Sequence, residues 1–180
     1  MSEMFSRRVF MRGLGVVAAA TALTACSSTN EAVNQALVEG AVGGLVTTNC
    51  HLNVGRWRHS DSNIVTHYFK AQVTLTNVGT KTMKVSADNF TTTLDGTQKA
   101  IFQFGFADGE NTWRTADLVL IKPGEEYTLV LEYEISEPLY NDWYKTSHDV
   151  SVTFTCGNQR VTYTGGSRSN NVVVGEIETL

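Results

Sequence analysis

From residue 50 to the C-terminus, apolar side chains recur at every second position rather than at helical spacing. Successive side chains of an extended strand point to opposite faces, so this period builds sheets with one buried and one solvated face. The cleanest run is Tyr127, Leu129, Leu131, Tyr133 and Ile135. Phe69, Ala71, Val73 and Leu75 form another, with Tyr68, Lys70, Gln72 and Thr74 on the opposite face. Shorter runs follow the same rule: Met83 and Val85; Phe90, Thr92 and Leu94; Phe102, Phe104 and Phe106; Val150, Val152, Phe154 and Cys156; Val161 and Tyr163. Turn signals part them at Asn77-Val78-Gly79-Thr80, Asp95-Gly96, Asp108-Gly109, Lys122-Pro123-Gly124-Glu125 and Gly157-Asn158. Such spacing predicts an all-β antiparallel sandwich of about eight or nine strands over residues 49–180. The polar second face argues against a parallel sheet. With only two prolines and abundant Thr and Val, the composition suits strands.

The first 26 residues read as an export signal: a basic start, an apolar middle from Gly13 to Ala22, and small residues before Cys26. Ser6-Arg7-Arg8-Val9-Phe10-Met11-Arg12 resembles the twin-arginine signal, Ser/Thr-Arg-Arg-x-Phe-Leu-Lys. That resemblance implies export of an already folded chain. Leu23-Thr24-Ala25-Cys26 reads as the cleavage and lipid-attachment site of a bacterial lipoprotein, with residues 1–25 removed and Cys26 carrying the lipid. At about 0.8 kcal/mol per buried CH₂, two acyl chains suffice for stable anchoring. An uncleaved anchoring helix over residues 7–25 is the alternative, but it is short and Ala-rich. Ser27 is not the Asp that retains some lipoproteins in an inner membrane. The expected location is therefore extracytoplasmic, at the cell surface or on the periplasmic side.

Residues 26–48 read as the tether between lipid and domain. Ser28 and Glu31 have capping-box spacing, and Val33, Leu37, Ala41 and Leu45 form one helical stripe. Ala36, Gly40 and Gly44 line up beside it and weaken the helix. A loosely helical spacer is expected; a helix packed by its small face is the alternative.

Val73-Thr74-Leu75-Thr76-Asn77-Val78-Gly79-Thr80-Lys81 and Leu120-Ile121-Lys122-Pro123-Gly124-Glu125-Glu126-Tyr127 carry a further likeness. A strand, an Asn-x-Gly turn and a strand, followed by a Pro-Gly-Glu turn and a long alternating strand, resemble the immunoglobulin-like domains of bacterial surface lipoproteins of unknown function. The resemblance implies an immunoglobulin-like sandwich and a non-enzymatic role. It carries over no functional residue.

Cys50 and Cys156 share the parity of inward apolar neighbours, and in an exported chain two such cysteines are most simply a disulfide. Free buried thiols are the main alternative, with a metal or catalytic role behind it. His51, His59, His67 and His148 match no metal-binding spacing, and Met83 is the only methionine after Cys26. No cofactor motif is present, and no metal is expected. In Ser147-His148-Asp149, neighbouring side chains on an extended chain diverge, so these letters do not make a triad. Glu132 and Glu134 read as solvated surface, as do Glu125 and Glu126. An enzyme is not expected.

Trp113 falls in the connection after Phe106, and Tyr140, Trp143 and Tyr144 in a segment after Pro138; Trp57 stands between Arg56 and Arg58. Loop aromatics of this kind either form a contact surface for an envelope protein or a glycan, or plug the ends of the sandwich. Charge narrows the partner. Arg7, Arg8, Arg12 and Glu3 leave with the signal, which takes the formal −4 of the whole chain to −6 for residues 26–180. No basic run remains, so nucleic acid is not an expected partner. The expectation is a lipid-anchored binding module of the cell envelope, its membrane lipid attached through Cys26. Two alternatives stand beside it. Gly109-Glu110-Asn111-Thr112-Trp113-Arg114 ahead of Pro123-Gly124 is similar to small immunoglobulin-shaped bacterial proteinase inhibitors. An extracytoplasmic metal carrier is the other.

Overall fold

The computed structural model describes residues 40–58, 64–109, 112–166 and 172–180. Arg7, Arg8, Phe10, Cys26, the Ser28–Glu31 capping box and His59 lie outside the described residues. No described helix is long and apolar enough to cross a membrane.

Two antiparallel sheets face each other, as the alternation predicts. Sheet I has the order β1 (Leu45–Arg58), β2 (Val65–Asn77), β9 (Glu126–Ile135), β6 (Gln103–Ala107), β7 (Trp113–Thr115). Sheet II runs β12 (Val173–Val174), β11 (Gln159–Gly166), β10 (Asp149–Cys156), β4 (Phe90–Leu94), β5 (Thr97–Lys99), with β13 (Glu178–Thr179) also beside β11. A ribbon of β3 (Met83–Val85) and β8 (Val119–Ile121) stands apart. The described residues thus form thirteen strands rather than eight or nine, because three-residue strands such as β5 and β7 are too short to show a period.

The two longest alternating runs pair with each other, from His67 opposite Ile135 to Thr76 opposite Glu126. Phe69, Ala71, Val73, Leu75, Leu129, Leu131 and Tyr133 all lose their solvent contact in that register. A slip by one residue would turn all of them outward, at roughly 1.5–3 kcal/mol for each large side chain. Sheet II contributes Phe90, Leu94, Val150, Val152, Phe154, Val161 and Tyr163 to the same core. The Tyr133 hydroxyl hydrogen-bonds Thr92 Oγ1 at 2.6 Å, joining the sheets through the interior.

The Asn-x-Gly and Pro-Gly-Glu turns meet at Asn77, which is 1% exposed. Its amide nitrogen donates to the carbonyls of Lys81 and Ile121, each at 2.8 Å, and its Oδ1 accepts from Gly79 N at 2.9 Å. Its backbone bonds Gly124 and Glu125 of the Pro-Gly turn. Every polar group of this buried amide therefore has work holding two turns to one ribbon.

Three expectations need correction. Residues 41–48 are not helical: Ala41, Val42 and Leu45 are buried in the sandwich and β1 already begins at Leu45. Tertiary burial overrides the weak helical stripe there. Residues 137–142, read as part of an irregular connection, form a six-residue helix, α1 (Glu137–Asp142). Ser136 caps it, its Oγ accepting from Leu139 N, and Pro138 stands in the first turn.

The third concerns the cysteines: Cys50 and Cys156 are both free thiols. Strand β1 runs alongside β11, with Gly43 N on Gln159 Oε1 (3.0 Å), the Thr47 and Tyr163 hydroxyls bonded, and Leu52 against Gly165. Cys156 pairs with Gln159 and lies against Gly43. Cys50 lies five strand residues beyond Leu45, roughly 15 Å further along at about 3.3 Å per residue. A disulfide needs Cα atoms within about 7 Å. Shared inward parity placed both thiols in the same layer but at different heights.

Candidate ligand-binding face

The four aromatic residues offered either as one contact surface or as plugs for the sandwich ends are separated by the fold. Trp143, directly after α1, is 1% exposed and stacks on Phe69 (5.7 Å between centroids, 17°) and on His148 (5.5 Å, 22°). It plugs the core. Tyr140 is half-buried on the His67 ring at 4.7 Å, and Tyr144 is exposed. Trp113 belongs elsewhere, on the outer face of sheet I.

The histidines follow the same logic. His67 is buried, with the inward parity expected of it. His148 is buried behind Trp143; its Nδ1 meets Asp95 Oδ2 at 2.9 Å and its Nε2 lies 3.8 Å from Asp142. Asp95 Oδ1 also accepts from Asp149 N. The hydrogen bond from His148 is the main cause that holds the Asp95 carboxyl below its ordinary range. His148 thus faces Asp95 and Asp142. Among the described residues, no three His, Cys, Asp or Glu side chains converge on a metal site. Cys50 is no reactive thiol: burial pushes it up to about 12.

The outer face of sheet I is built differently. Tyr68 on β2 stands directly opposite Gly55 on the edge strand β1. A Cβ at Gly55 would come within 2.5 Å of Tyr68 Cζ, so the missing side chain lets the phenol ring lie against the neighbouring strand. Two residues on, Lys70 Nζ pairs with Glu132 Oε1 at 3.1 Å. It also lies 5.3 Å from the Tyr68 ring centroid and 5.6 Å from that of Trp113.

Trp113 is carried by β7, which pairs antiparallel beside β6 at the edge of sheet I, with Gly105 opposite Thr115. A Cβ at Gly105 would collide with the Arg114 carbonyl, its carbon 2.7 Å away. The hairpin is held from outside by the Arg114–Asp108 ion pair, which keeps the Asp108 carboxyl below its usual range. Covered in this way, Glu132 is only 2% exposed although it points away from the core. The sequence reading of Glu132 as solvated surface is therefore wrong. Its charge and, more strongly, burial raise the Tyr68 phenol above its ordinary value.

Trp57 on β1 and Phe102, just before β6, extend the face. Strands β1 and β6 lie three places apart in sheet I, yet the two rings approach to 6.4 Å, so together they reach over β2 and β9. Phe102 is 45% exposed. A separate open groove of about 480 Å³ is lined by Arg56, His67, Glu134 and Glu137 among others.

Sequence parity places Tyr68, Lys70 and Glu132 outward. What it lacks is the register of β2 against β9, which sets Lys70 directly across from Glu132. Gly55 and Gly105 were the available signal, as glycines inside strand patterns mark close approach of another group.

The molecule is thus an all-β sandwich whose outer face carries an ion pair enclosed by aromatic rings. No family model and no curated protein matches the chain. Solved structures with a similar course include a "putative lipoprotein (ycdA)" of Bacillus subtilis subsp. subtilis str. 168, 11% identical with a TM-score of 0.42. That match covers 72% of this chain and only 38% of the Bacillus protein. A functionally unknown protein of Listeria monocytogenes EGD-e is 13% identical (TM-score 0.36; 80% of this chain, 93% of that one). A protein of Archaeoglobus fulgidus is 17% identical (TM-score 0.30; 72% and 94%). Likenesses this loose say nothing of a ligand.

Proposed function

We propose that the chain is a lipid-anchored binding module of the bacterial cell envelope, held on the extracytoplasmic side through Cys26. The observation that carries this reading is the Leu23-Thr24-Ala25-Cys26 signature behind an apolar run and a twin-arginine-like start. The position of the domain supports it. Ala41, the first buried residue described, follows Cys26 by fifteen residues, a reach of at most roughly 50 Å if extended. A domain so tethered meets ligands in the envelope itself. The outer face of sheet I is the contact surface, and the role is binding rather than catalysis.

The test compares the full chain with its Cys26→Ser variant in a bacterial host. The wild type is expected in the membrane fraction, with Cys26 as a diacylglyceryl-modified N-terminus by mass spectrometry, and the variant as an uncleaved precursor. A variant cleaved at the same bond and equally membrane-bound would overturn the lipid anchor.

A further inference from the structure

We propose that the outer face of sheet I binds an uncharged glycan, with Trp57, Tyr68, Phe102 and Trp113 as stacking surfaces and the Lys70–Glu132 pair as the polar centre. This names the ligand class for the contact surface proposed above and rests on that reading.

The chemistry of the face selects the ligand. Cores of protein–protein interfaces are depleted in charged residues, whereas here an ion pair sits amid the rings. Covering it with an apolar protein surface would remove its last solvent without replacing the hydrogen bonds. A sugar ring has both things the face asks for. Its C–H side packs on aromatic rings, and its hydroxyls accept from the partly exposed Lys70 ammonium, whose charge the buried Glu132 balances. An ammonium carries three N–H donors, of which Glu132 engages one.

Charge excludes the polyanions. Lys70 and Glu132 sum to zero, and residues 26–180 are net negative, so an anionic glycan gains nothing from the field of the domain.

The face is also pre-organised. Lys70 is held by Glu132 and two rings, Tyr68 by the space at Gly55, and Trp113 by the close pairing of β7 with β6 at Gly105. The ordering entropy that a flexible lysine and two mobile rings would lose on binding is already lost in the fold. Packing alone accounts for a Trp over a Lys. It does not call for a buried charge pair at the centre of an outward sheet face.

The experiment uses the purified full chain in detergent and an array of neutral and anionic oligosaccharides, followed by titration of the best neutral oligosaccharide with tryptophan fluorescence as readout. Binding to neutral members is expected, at least tenfold weaker for Trp113→Ala and unchanged for Tyr144→Ala. The double variant Lys70→Met/Glu132→Leu keeps the packing volume and removes the hydrogen-bonding groups; it is expected to stay folded and also lose at least tenfold. Absence of neutral-glycan binding, preference for anionic members, or full affinity in the double variant would each overturn the proposal. If, in addition, a photo-crosslinker at position 113 captures an envelope protein while the Cys26 test succeeds, the envelope reading stands and the glycan falls. Neutral-glycan binding by a chain whose Cys26→Ser variant is processed normally gives the converse.

Discussion

Two aromatic clusters flank the same strand and serve opposite ends. On the inner side of β2, Phe69 stacks on Tyr133 (4.4 Å, 9°) and on Trp143, with His148 beyond, and no ring has more than trace exposure. On the outer side, Tyr68 and Lys70 meet Trp113 and Glu132, and the rings are half-buried with one side toward solvent. The inner cluster is closed: its polar members bond other protein groups, as His148 does Asp95. In the outer cluster a nearly buried charge lies just beneath the surface. A tryptophan in a connecting segment thus says little about role until its strand partners are known.

The largest expected effect breaks the inner cluster. Trp143→Ala removes a fully buried indole from between Phe69 and His148 and should destabilise the fold by about 3–5 kcal/mol. Urea unfolding measures it, and a loss below about 1 kcal/mol would show that α1 and its tryptophan dock only loosely. Next in size is Lys70→Met, which leaves the Glu132 carboxylate 2% exposed without its cation, at a cost of about 3 kcal/mol. Lys70→Met/Glu132→Leu should recover most of that, since a packed apolar pair is often as stable as a buried ionic one. A single variant as stable as wild type would mean that Glu132 is better solvated than its enclosure implies.

How far these clusters were legible follows from range. Alternation over five or more positions told the inward from the outward residues of β2 and β9, because that is a property of one strand. The turns at Asn77 and Pro123 were legible as punctuation, but not that Asn77 would bond both. Parity puts both cysteines in the inner layer but carries no information on their height along the strand. The burial of Glu132 is not legible in its own strand, because exposure of an outward residue depends on its cross-strand neighbours. Helix α1 had its cap and proline in view at Ser136 and Pro138, but six residues are too few for a helical period.

The two sides of the sheet also answer differently to base. Cys50, whose thiol lies toward Tyr133 and Tyr163 in the inner layer, is raised by burial from 9.0 to about 12. The folded state then keeps its proton where the unfolded chain has lost it. Stability from this group is therefore full below pH 9 and declines as pH rises toward 12, by about 1.4 kcal/mol per pH unit. Tyr133 and Tyr163, both raised by burial, add to the decline above their ordinary value of 10.0. Urea unfolding between pH 9 and 10 should show a shallower slope for Cys50→Ala than for wild type. Equal slopes would place the thiol in contact with water.

The smallest effect on stability is the sharpest statement of the contrast. Trp113→Ala takes away a half-buried ring on a three-residue edge strand, together with one cation–π contact, for about 0.5–1 kcal/mol. Set beside Trp143→Ala, the same substitution should differ several-fold in its cost to folding. If Trp113 served only to cap Lys70 and Glu132, its loss would expose the pair to water, which solvates charges well, and little else would change. A ring that contributes so little to stability, on an edge strand whose close pairing with β6 Gly105 allows, fits the contact role proposed for the outer face. A loss for Trp113→Ala approaching that of Trp143→Ala would remove this distinction and make both clusters core.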